Sequence, residues 1–439
     1  MAKIVSLCKR RGFIFPGSEI YGGLAGTWDY GPLGSKLKHN FKQAWWDYMV
    51  LRRENIFGLD ASILMNPKVW EASGHTAAFT DPLIECKTCH ERVRADHTEE
   101  KEEHELAHKS KEERAEWTEP KKFNLLVEAK LGVIEGDKST VYLRGEITQG
   151  VHVNFKNVMD SMHPEIPFGV AQIGRAFRNE INPGNFTYRL REFEQMEVQY
   201  YIRPDEKEAM KIFEMWKEER MRWYVSLGVR KDKLRFREHE PDERAHYARA
   251  AVDIEYETPF GWREAEGIHH RGDWDLSRHS EFSGQDLSYF DSETRKRFIP
   301  WVIETSCGVE RSLLYVLLDA YHEDGERVVL RLHPTLAPYK VAVFPLLANK
   351  PQLVEKAREV YHLLRAPGSE IHGSVSWDDR GNIGKRYYSQ DEIGTPWCVT
   401  ADYDTLEDNT VTIRDRDTAQ QERIATQDLI SYFKNKLNT

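Results

Sequence analysis

The sequence predicts an α+β protein, in which an antiparallel β-sheet domain flanked by helices is followed by a smaller α/β domain. Residues 170–202 alternate apolar and polar side chains on both sides of a turn-rich loop, which is typical of two paired strands. After Arg331 a proline-marked linker leads into strands that alternate with helices, the pattern of an α/β unit. The length of 439 residues exceeds one ordinary core, so two or three domains are expected.

The first domain opens with a glycine- and proline-rich stretch, residues 13–34, that predicts loops. Apolar side chains spaced by three and four predict a helix over residues 35–51, and residues 63–69 predict a short strand interrupted by Pro67. Methionines and aromatic residues over 205–227 indicate a long helix that packs in the core.

The segments VDIEYETPF and IPWVIETSCG predict further strands, and VERSLLYVLLDAY predicts a helix with an apolar stripe. In the second domain, strands are predicted at VAVFPLL, SVSWDD, TPWCVTADY and TVTIRD, with a helix over residues 353–365 and a closing helix. The glycine-spaced segment before TPWCVTADY predicts a loop.

Composition excludes several classes of protein. The chain carries 62 Lys and Arg against 72 Asp and Glu, a net charge of −10, so it is not a nonspecific polycation that coats nucleic acid. Five cysteines do not form a disulfide framework, and the N-terminal segment has no apolar signal region. The apolar run at residues 341–348 is too short to span a bilayer. These features predict a soluble cytoplasmic protein without a membrane segment.

A charged segment, residues 91–119, interrupts the globular composition and predicts a helical insertion. Cys86 and Cys89 precede it in a Cys-x-x-Cys pair, which supplies two zinc ligands. No second cysteine pair follows, although His90, His97 or His104 could complete a site. We expect a vestigial knuckle without zinc, with a zinc site as the alternative.

Charged residues cluster on the predicted strand pair. Arg178 and Glu180 share one face of the first strand, and Phe193, Gln195 and Glu197 share one face of the second, since side chains alternate along a strand. Paired strands would then present a cation, two carboxylates, an amide and an aromatic ring together. The alternative is a solvated sheet face with cross-strand ion pairs.

A third element repeats this pattern. In VIETSCGVER the residues Glu304, Ser306 and Gly308 alternate on a strand, and Arg311 falls in the first turn of the following helix. A cation there is unfavourable unless an anion such as phosphate binds at the helix N-terminus. The segment VYLRGEITQG offers Arg144 and Glu146 on one face of another strand.

Together these motifs resemble the class II aminoacyl-tRNA synthetases, and among them the dimeric glycyl-tRNA synthetases. FRNE with the downstream REFEQMEV is similar to class II motif 2, ETSCGVER to motif 3, and the helix with the Pro67 strand to the motif 1 dimer interface. The resemblance extends over nearly the whole chain. It implies a class II catalytic domain over residues 1–90 and 120–335, the insertion over 91–119, and an anticodon-binding domain over 336–439.

The resemblance implies roles in ATP binding for the motif 2 and motif 3 residues. Arg178 would hold the α-phosphate, Glu180 would accept from the adenine amino group, and Phe193 and Arg311 would enclose the adenine ring. The catalytic candidates are therefore Arg178, Glu180 and Arg311. The residues implied to contact ATP are Arg178, Asn179, Glu180, Tyr188, Arg189, Leu190, Arg191, Glu192, Phe193, Glu264, Ala265, Gly308, Val309, Glu310 and Arg311.

The resemblance also implies a glycine site and a magnesium site. Glu146, Glu197, Glu304 and Ser306 are the main glycine candidates, because several carboxylates can hold an ammonium group and a small pocket excludes larger amino acids. The complete glycine set is Arg94, Glu146, Phe193, Glu194, Gln195, Met196, Glu197, Arg271, Glu304, Thr305, Ser306, Cys307 and Gly308. Glu264 and Glu304 are the candidates for the Mg²⁺ that accompanies ATP.

The implied function is ATP-dependent attachment of glycine to tRNA(Gly) through a glycyl-adenylate, by a cytoplasmic homodimer. The alternatives are a class II synthetase of another amino-acid specificity and a catalytically silent, nucleic-acid-binding relative. Two segments depart from the family pattern, because RGEITQG and ETSCG each lack the usual proline, which puts the support of these loops in question.

The C-terminal domain is implied to bind the anticodon. Cations beside aromatic rings suit unstacked bases, and the alternative is an ordinary solvated loop. The candidate tRNA surface consists of Arg380, Lys385, Arg386, Tyr387, Tyr388, Arg414 and Arg416.

Overall fold

The computed structural model describes residues 1–96, 98–111, 113–133, 139–240, 248–369 and 371–437. His97, one of the candidate zinc ligands, lies outside the described residues. No helix among the described residues is both long and apolar enough to cross a membrane.

The described residues form helices throughout the chain. In chain order they are α1 (Ala2–Arg11), α2 (Pro32–Trp46), α3 (Lys68–Ala72), α4 (His75–Ala78), α5 (Thr98–Lys109), α6 (Thr148–His152), α7 (Phe155–Met162), α8 (Glu206–Ser226), α9 (Trp274–Ser283), α10 (Val309–Ala320), α11 (Pro351–Arg365), α12 (Ile383–Ile393), α13 (Tyr403–Asp408) and α14 (Leu429–Leu437).

The strands of the first two thirds of the chain are β1 (Ile14–Pro16), β2 (Trp28–Tyr30), β3 (Ile56–Gly58), β4 (Thr80–Glu85), β5 (Arg92–Arg94), β6 (Lys121–Asn124), β7 (Val127–Leu131), β8 (Ser139–Leu143), β9 (Phe168–Phe177), β10 (Glu192–Ile202), β11 (Leu234–Glu238), β12 (Ala250–Thr258), β13 (Gly261–Gly272), β14 (Tyr289–Asp291) and β15 (Lys296–Phe298). The remaining strands are β16 (Trp301–Gly308), β17 (Tyr321–Asp324), β18 (Arg327–Leu330), β19 (Val341–Pro345), β20 (Val375–Trp377), β21 (Trp397–Ala401), β22 (Thr410–Asp415) and β23 (Gln421–Ala425).

A seven-stranded sheet forms the centre of the molecule, in the order β11-β12-β13-β16-β10-β9-β3. Its neighbouring strands are antiparallel except β3, which runs parallel to β9. Helices α2, α8 and α10 contribute apolar side chains to the main hydrophobic core against this sheet. The aromatic residues of α8 pack there as predicted, whereas Met215 on the same helix is 39% exposed.

A second sheet follows residue 340, in the order β20-β19-β21-β22-β23. The first three strands are parallel and the last two are antiparallel, and helices α11 and α14 cover a separate core. Asp391 on α12 is fully buried and ties this unit to the preceding one. It accepts hydrogen bonds from Arg414 in β22 at 2.9 and 3.0 Å and from Arg327 in β18 at 3.2 Å.

A third, smaller unit surrounds the charged insertion. Strand β4 pairs antiparallel with β5 on one side and with β6 on the other, and α5 lies between β5 and β6 along the chain. The helix predicted in the insertion is therefore present, accompanied by a strand that the composition did not reveal.

Three predictions of local structure were wrong, and one strand was missed. Arg178 and Glu180 were predicted on a strand, but β9 ends at Phe177 and both residues lie in the loop that follows. Residues 63–69 contain an isolated bridge at Leu64 followed by helix α3, because Pro67 caps that helix instead of interrupting a strand. The predicted glycine-spaced loop contains α12, which Asn382 caps through the Lys385 N–H and Gly394 ends in the left-handed conformation. The long strand β13 was not predicted, since charged and glycine residues obscure its alternation.

Candidate active site

Strand register brings polar side chains together on one face of the central sheet. Glu197 on β10 lies opposite Ser306 on β16, and Gln199 lies opposite Glu304. On the other side of β16, His269 of β13 also lies opposite Glu304. Because alternate residues of neighbouring strands share a face, these side chains meet in one pocket.

Glu197 and Glu304 face each other across a hydroxyl group. Oγ1 of Thr148, at the start of α6, lies 2.7 Å from Oε2 of Glu197 and 3.0 Å from Oε1 of Glu304. Oγ of Ser306 donates to Oε1 of Glu197 at 2.7 Å. A hydroxyl has one proton, so Thr148 donates to one carboxylate and can accept a proton held by the other.

Glu304 is ionised and held by several donors. Gln199 donates to it at 2.8 Å, His269 Nδ1 lies 2.9 Å from it, and Arg271 donates at 3.1 and 3.3 Å. Burial alone would raise the pKa of Glu304, but Arg271 and His269 hold it well below its usual value. Arg271 also donates to Asp275 at 2.8 Å, so its charge is shared between two buried carboxylates.

Glu197 carries the proton of this pocket. Burial, followed by repulsion from Glu304 and Glu146, raises the pKa of Glu197 to about 8. Burial also acts on Glu146, yet His75, which lies 3.3 Å away, lowers the pKa of that carboxyl to about 2. We call the site formed by Glu146, Glu197 and Glu304 the acidic pocket; it contains two carboxylates and one protonated acid near neutral pH.

An open cleft begins at this pocket. It is lined by charged and aromatic side chains from β10, β13, β16, α10 and the loop between β9 and β10. The lining residues are Arg178, Glu180, Thr187, Tyr188, Arg189, Leu190, Phe193, Gln195, Glu264, Ser306, Gly308, Glu310 and Arg311.

Two arginines border the cleft, and both contact aromatic rings. The guanidinium of Arg178 lies 5.3 Å from the ring centres of Phe193 and Phe79, and its Nε donates to the carbonyl of Gly145 at 3.0 Å. The guanidinium of Arg311 lies 4.7 Å from the Tyr188 ring. Such a cleft has cations for phosphate and flat surfaces for a purine base.

Two segments of the chain match known families. Residues 132–321 match the tRNA synthetase class II core domain (G, H, P, S and T), and residues 340–436 match the anticodon binding domain. The Glycine--tRNA ligase of Borrelia garinii subsp. bavariensis is 49% identical over 447 residues, which cover 100% of this chain and 97% of that protein. The chain belongs to the glycine--tRNA ligase family.

Other members of the family are similarly close. The Glycine--tRNA ligase of Streptomyces coelicolor is 48% identical over 457 residues, with 99% of this chain and 98% of that protein covered. That of Thermobifida fusca is 49% identical over 460 residues, covering 100% and 98%. The predicted fold class is confirmed, since the chain has a class II core domain and a C-terminal anticodon-binding domain. The predicted domain limits stay predictions.

Most of the residues that were expected to contact ATP line the cleft, but five do not. The backbone N–H of Asn179 donates to Leu125, and Arg191 donates to the carbonyls of Glu180 and Ala25. Glu192 forms an ion pair with Arg175. The side chains outside the cleft are Asn179, Arg191, Glu192, Ala265 and Val309, of which the last two lie in the main core.

Several of the residues that were expected to bind the substrate glycine have other partners or face away from the acidic pocket. Glu194 pairs with Lys38 and Lys42 of α2, on the opposite face of β10 from Glu197. Met196 and Cys307 lie in the core because alternation turns them away from the pocket, and Thr305 shares their face of the sheet. Arg94 pairs with Asp81 and with Asp96, each at 2.7 Å, but it also interacts electrostatically with Glu180 of the cleft lining, so it is not remote from the site.

Of the two candidate Mg²⁺ ligands, Glu264 and Glu304, only Glu264 has oxygens available to bind an ion. Both oxygens of Glu304 already accept hydrogen bonds from Thr148, Gln199, His269 or Arg271, so the ion would have to displace these donors. Glu264 lines the cleft, and its carboxylate is 47% exposed and lies 3.0 Å from Arg311. Its oxygens suit a hard cation, so Glu264 alone fits.

Three of the seven residues of the candidate tRNA surface have structural roles. Arg386, Arg414 and Arg416 are buried, at 2%, 6% and 3% exposure. Arg386 donates to four backbone carbonyls, Arg414 to Asp391, and Arg416 to two backbone carbonyls and Asp417. The exposed members of the set are Arg380, Lys385 and Tyr388.

Sequence reasoning missed four members of the acidic pocket: His75, Thr148, Gln199 and His269. The available signal was alternation within EGIHHRGDWD, which would have placed His269 on the same face as Arg271 had β13 been recognised. His75 gave no such signal, since it reaches Glu146 from a short helix remote in sequence.

The departure at Gly145 has a packing explanation. A Cβ atom on Gly145 would lie 2.9 Å from Cε1 of Phe79, closer than such contacts allow. Glycine therefore lets Phe79 approach the loop, where its ring also contacts Arg178.

Proposed function

We propose that this chain attaches glycine to tRNA(Gly) at the expense of ATP, through a glycyl-adenylate. The observation that carries the proposal is the convergence of Glu146, Glu197 and Glu304 beside a cleft lined by Arg178 and Arg311. The acids suit the ammonium group of a small amino acid, and the cleft suits a nucleotide.

In this proposal the ammonium group of glycine binds among the three acids and displaces the proton of Glu197. The carboxylate of glycine then points along the cleft toward Arg178. One carboxylate oxygen attacks the α-phosphorus of ATP, a bond forms between them, and the bond to the β-phosphate oxygen breaks to release pyrophosphate. The nucleophile is already ionised, so no protein base is needed.

The arginines would stabilise the charge that develops on the phosphate oxygens during this attack. Arg178 approaches the cleft from the end of β9, and its contacts with Phe79, Phe193 and Gly145 fix its direction. In the second step a ribose hydroxyl at the 3′ end of tRNA attacks the glycyl carbonyl carbon, and AMP leaves.

Selection of glycine would depend on exclusion of any side chain. Ser306 and Thr148 hold Glu197 from two directions at 2.7 Å each, which leaves the acid no freedom to retreat from a methyl group. A pocket that excludes alanine sterically needs no editing domain, since no smaller amino acid competes.

We further propose that Glu264 holds the Mg²⁺ that accompanies ATP, that the protein is a homodimer and that it acts in the cytoplasm. The ion would neutralise charge on the phosphates. The exposed cations of the C-terminal domain, Arg380 and Lys385, are the proposed contacts with tRNA.

Pyrophosphate exchange with glycine, alanine and serine side by side tests this function. We expect glycine-dependent exchange, with alanine and serine at least about 100-fold slower because their side chains clash in the pocket. Aminoacylation of tRNA(Gly) should follow the same order. Exchange supported equally by another amino acid would favour a different specificity, and binding of tRNA without any exchange would favour a catalytically silent protein.

A further inference from the structure

Outside the catalytic cleft, four metal-ligating side chains converge beside the charged insertion. Cys86 and Cys89 follow strand β4, and His104 and His108 lie on helix α5. One donor atom from each residue lies within 4.8 Å of all the others. We propose that these four residues, the Cys₂His₂ cluster, bind one structural zinc ion per chain.

The donor atoms have the spacing that zinc requires. Sγ of Cys86 lies 3.8 Å from Nε2 of His108, and Sγ of Cys89 lies 3.5 Å from Nε2 of His104. Around a tetrahedral ion with Zn–S bonds near 2.3 Å and Zn–N bonds near 2.0 Å, sulfur and nitrogen lie roughly 3.5 Å apart. One ion can therefore contact all four atoms with small adjustments.

The loop that carries the cysteines is shaped for thiolate ligands. The N–H of His90 donates to the Cys86 carbonyl at 2.8 Å, and His90 adopts a left-handed φ of 63° that turns the chain sharply. This turn lets the Sγ atoms of Cys86 and Cys89 lie within 4.8 Å of each other, as two ligands of one ion require.

The helix presents its two histidines in the orientation of ligands. A spacing of four residues places His104 and His108 on one face of α5, with Nε2 of each toward the cysteines. Nδ1 of His104 lies 3.1 Å from Glu91, and Nδ1 of His108 lies 3.1 Å from Glu113, close though not aligned as a hydrogen bond. A carboxylate beside the second ring nitrogen is typical of histidines that bind zinc.

Helix α5 lacks the apolar face that would otherwise attach it. Among the described residues of this helix, His104 and His108 are the buried ones, at 9% and 5% exposure, while Leu106 is 68% exposed. Two buried imidazoles add little hydrophobic stabilisation, and ion pairs with exposed carboxylates such as Glu91 and Glu113 are weak. A metal bond to each would supply the missing attachment energy.

Four protein ligands leave no open position for substrate, so the ion would be structural. Two sulfur and two nitrogen donors in tetrahedral arrangement favour zinc over magnesium or calcium. This inference replaces the expectation of a vestigial knuckle, which rested on the missing second cysteine pair and did not consider His108.

Metal analysis of the purified full-length protein tests the proposal. Mass spectrometry of acid-digested protein, prepared without chelator, should give about one zinc per chain. Replacement by Co²⁺ should give the strong visible absorption of a tetrahedral ion with thiolate ligands. Less than about a tenth of a zinc per chain, even after incubation with zinc and removal of the excess, would overturn the proposal.

Variants locate the ion. Cys89→Ser and His108→Gln should each lower retained zinc by at least about tenfold, because each removes one ligand. His90→Asn is the matched control, because His90 is an exposed neighbour of Cys89. Asparagine tolerates the left-handed φ of this position, so the zinc content should be unchanged. Full retention of zinc in both ligand variants would overturn the assignment, as would stoichiometric iron in place of zinc in the unmodified protein.

Discussion

The acidic pocket and the Cys₂His₂ cluster both gather polar side chains, but different forces hold them. Glu197 and Glu304 sit in the middle of long strands, where backbone register and a continuous core fix them without any ligand. The cluster joins a hairpin loop to a helix that buries little besides its own histidines. The pocket is therefore organised in advance, whereas the insertion needs its ion to be attached.

Arg178→Ala is the strongest test of the claim that the catalytic site is organised in advance. Exchange of pyrophosphate should fall by about 10³-fold, because a positioned charge on the transferring phosphate is lost. Folding should be unaffected, since the pocket does not depend on this side chain. The measurement is glycine-dependent exchange together with a thermal unfolding curve.

Arg175→Ala provides the control for Arg178→Ala, since Arg175 lies three residues earlier and its side chain pairs with Glu192 outside the cleft. Its exchange rate should stay within about twofold of the unmodified protein. Near-normal exchange in Arg178→Ala would contradict the role assigned to that residue.

The proton on Glu197 makes glycine binding depend on pH. The pKa of Glu197 is about 8 in the free pocket, and the ammonium group must displace this proton. The KM for glycine should therefore fall as pH rises from 6 to 8, by up to about tenfold per pH unit, and level off above that. Steady-state exchange at fixed saturating ATP measures it. A KM that does not change with pH would separate Glu197 from the ammonium site.

The same proton affects stability in the opposite sense to binding. In the folded protein Glu197 holds a proton up to about pH 8, whereas in the unfolded chain the glutamate pKa has its ordinary value of 4.5. Stability from this group is thus fully present below pH 4.5 and is lost as pH rises to 8. Glu197→Gln, which cannot titrate, should gain up to roughly 1.4 kcal/mol per pH unit relative to the unmodified protein.

Urea unfolding at several pH values between 5 and 8 measures this gain. Glu355→Gln, an exposed change on α11, is the control and should show no trend with pH. A constant difference between Glu197→Gln and the unmodified protein across the range would argue against a protonated Glu197.

The smallest expected effect connects the two regions. Strand β4 lies between Phe79 at one end and the zinc candidate Cys86 at the other, and the Phe79 ring contacts Arg178. Removing zinc with a chelator should raise the KM for ATP about threefold while leaving kcat nearly unchanged, because the contact with Arg178 loosens. Adding zinc back should restore the KM. An unchanged KM would mean that the insertion is mechanically independent of the cleft.

The parts of the site that follow a regular pattern could be predicted from sequence. Alternation placed Phe193, Gln195 and Glu197 on one face of β10, and helical spacing placed α2 and α8. Arg178 follows the end of β9, so its place in the cleft was implied by the family resemblance and not by alternation. In those strands and helices, apolar residues recur at the spacing of the secondary structure, and this spacing is what a sequence pattern can reveal.

The rest could not be predicted because its signal is three-dimensional. Strand β13 is built for a polar pocket, so its apolar alternation is weak, and His75 reaches the pocket through tertiary packing alone. Arg386 looked like a nucleic-acid contact but donates to buried carbonyls, which no local pattern distinguishes from exposure. His108 needed the fold of α5 against the cysteine loop.

The doubly paired Asp391 has a mechanical consequence. Breaking a buried ion pair of this kind costs about 3–5 kcal/mol, so rotation of the C-terminal unit against β18 is disfavoured. The C-terminal unit is then held at a fixed distance from the active-site cleft. A bound L-shaped RNA would be selected by its length as well as by its bases, because an RNA that is too short could not contact both regions at once.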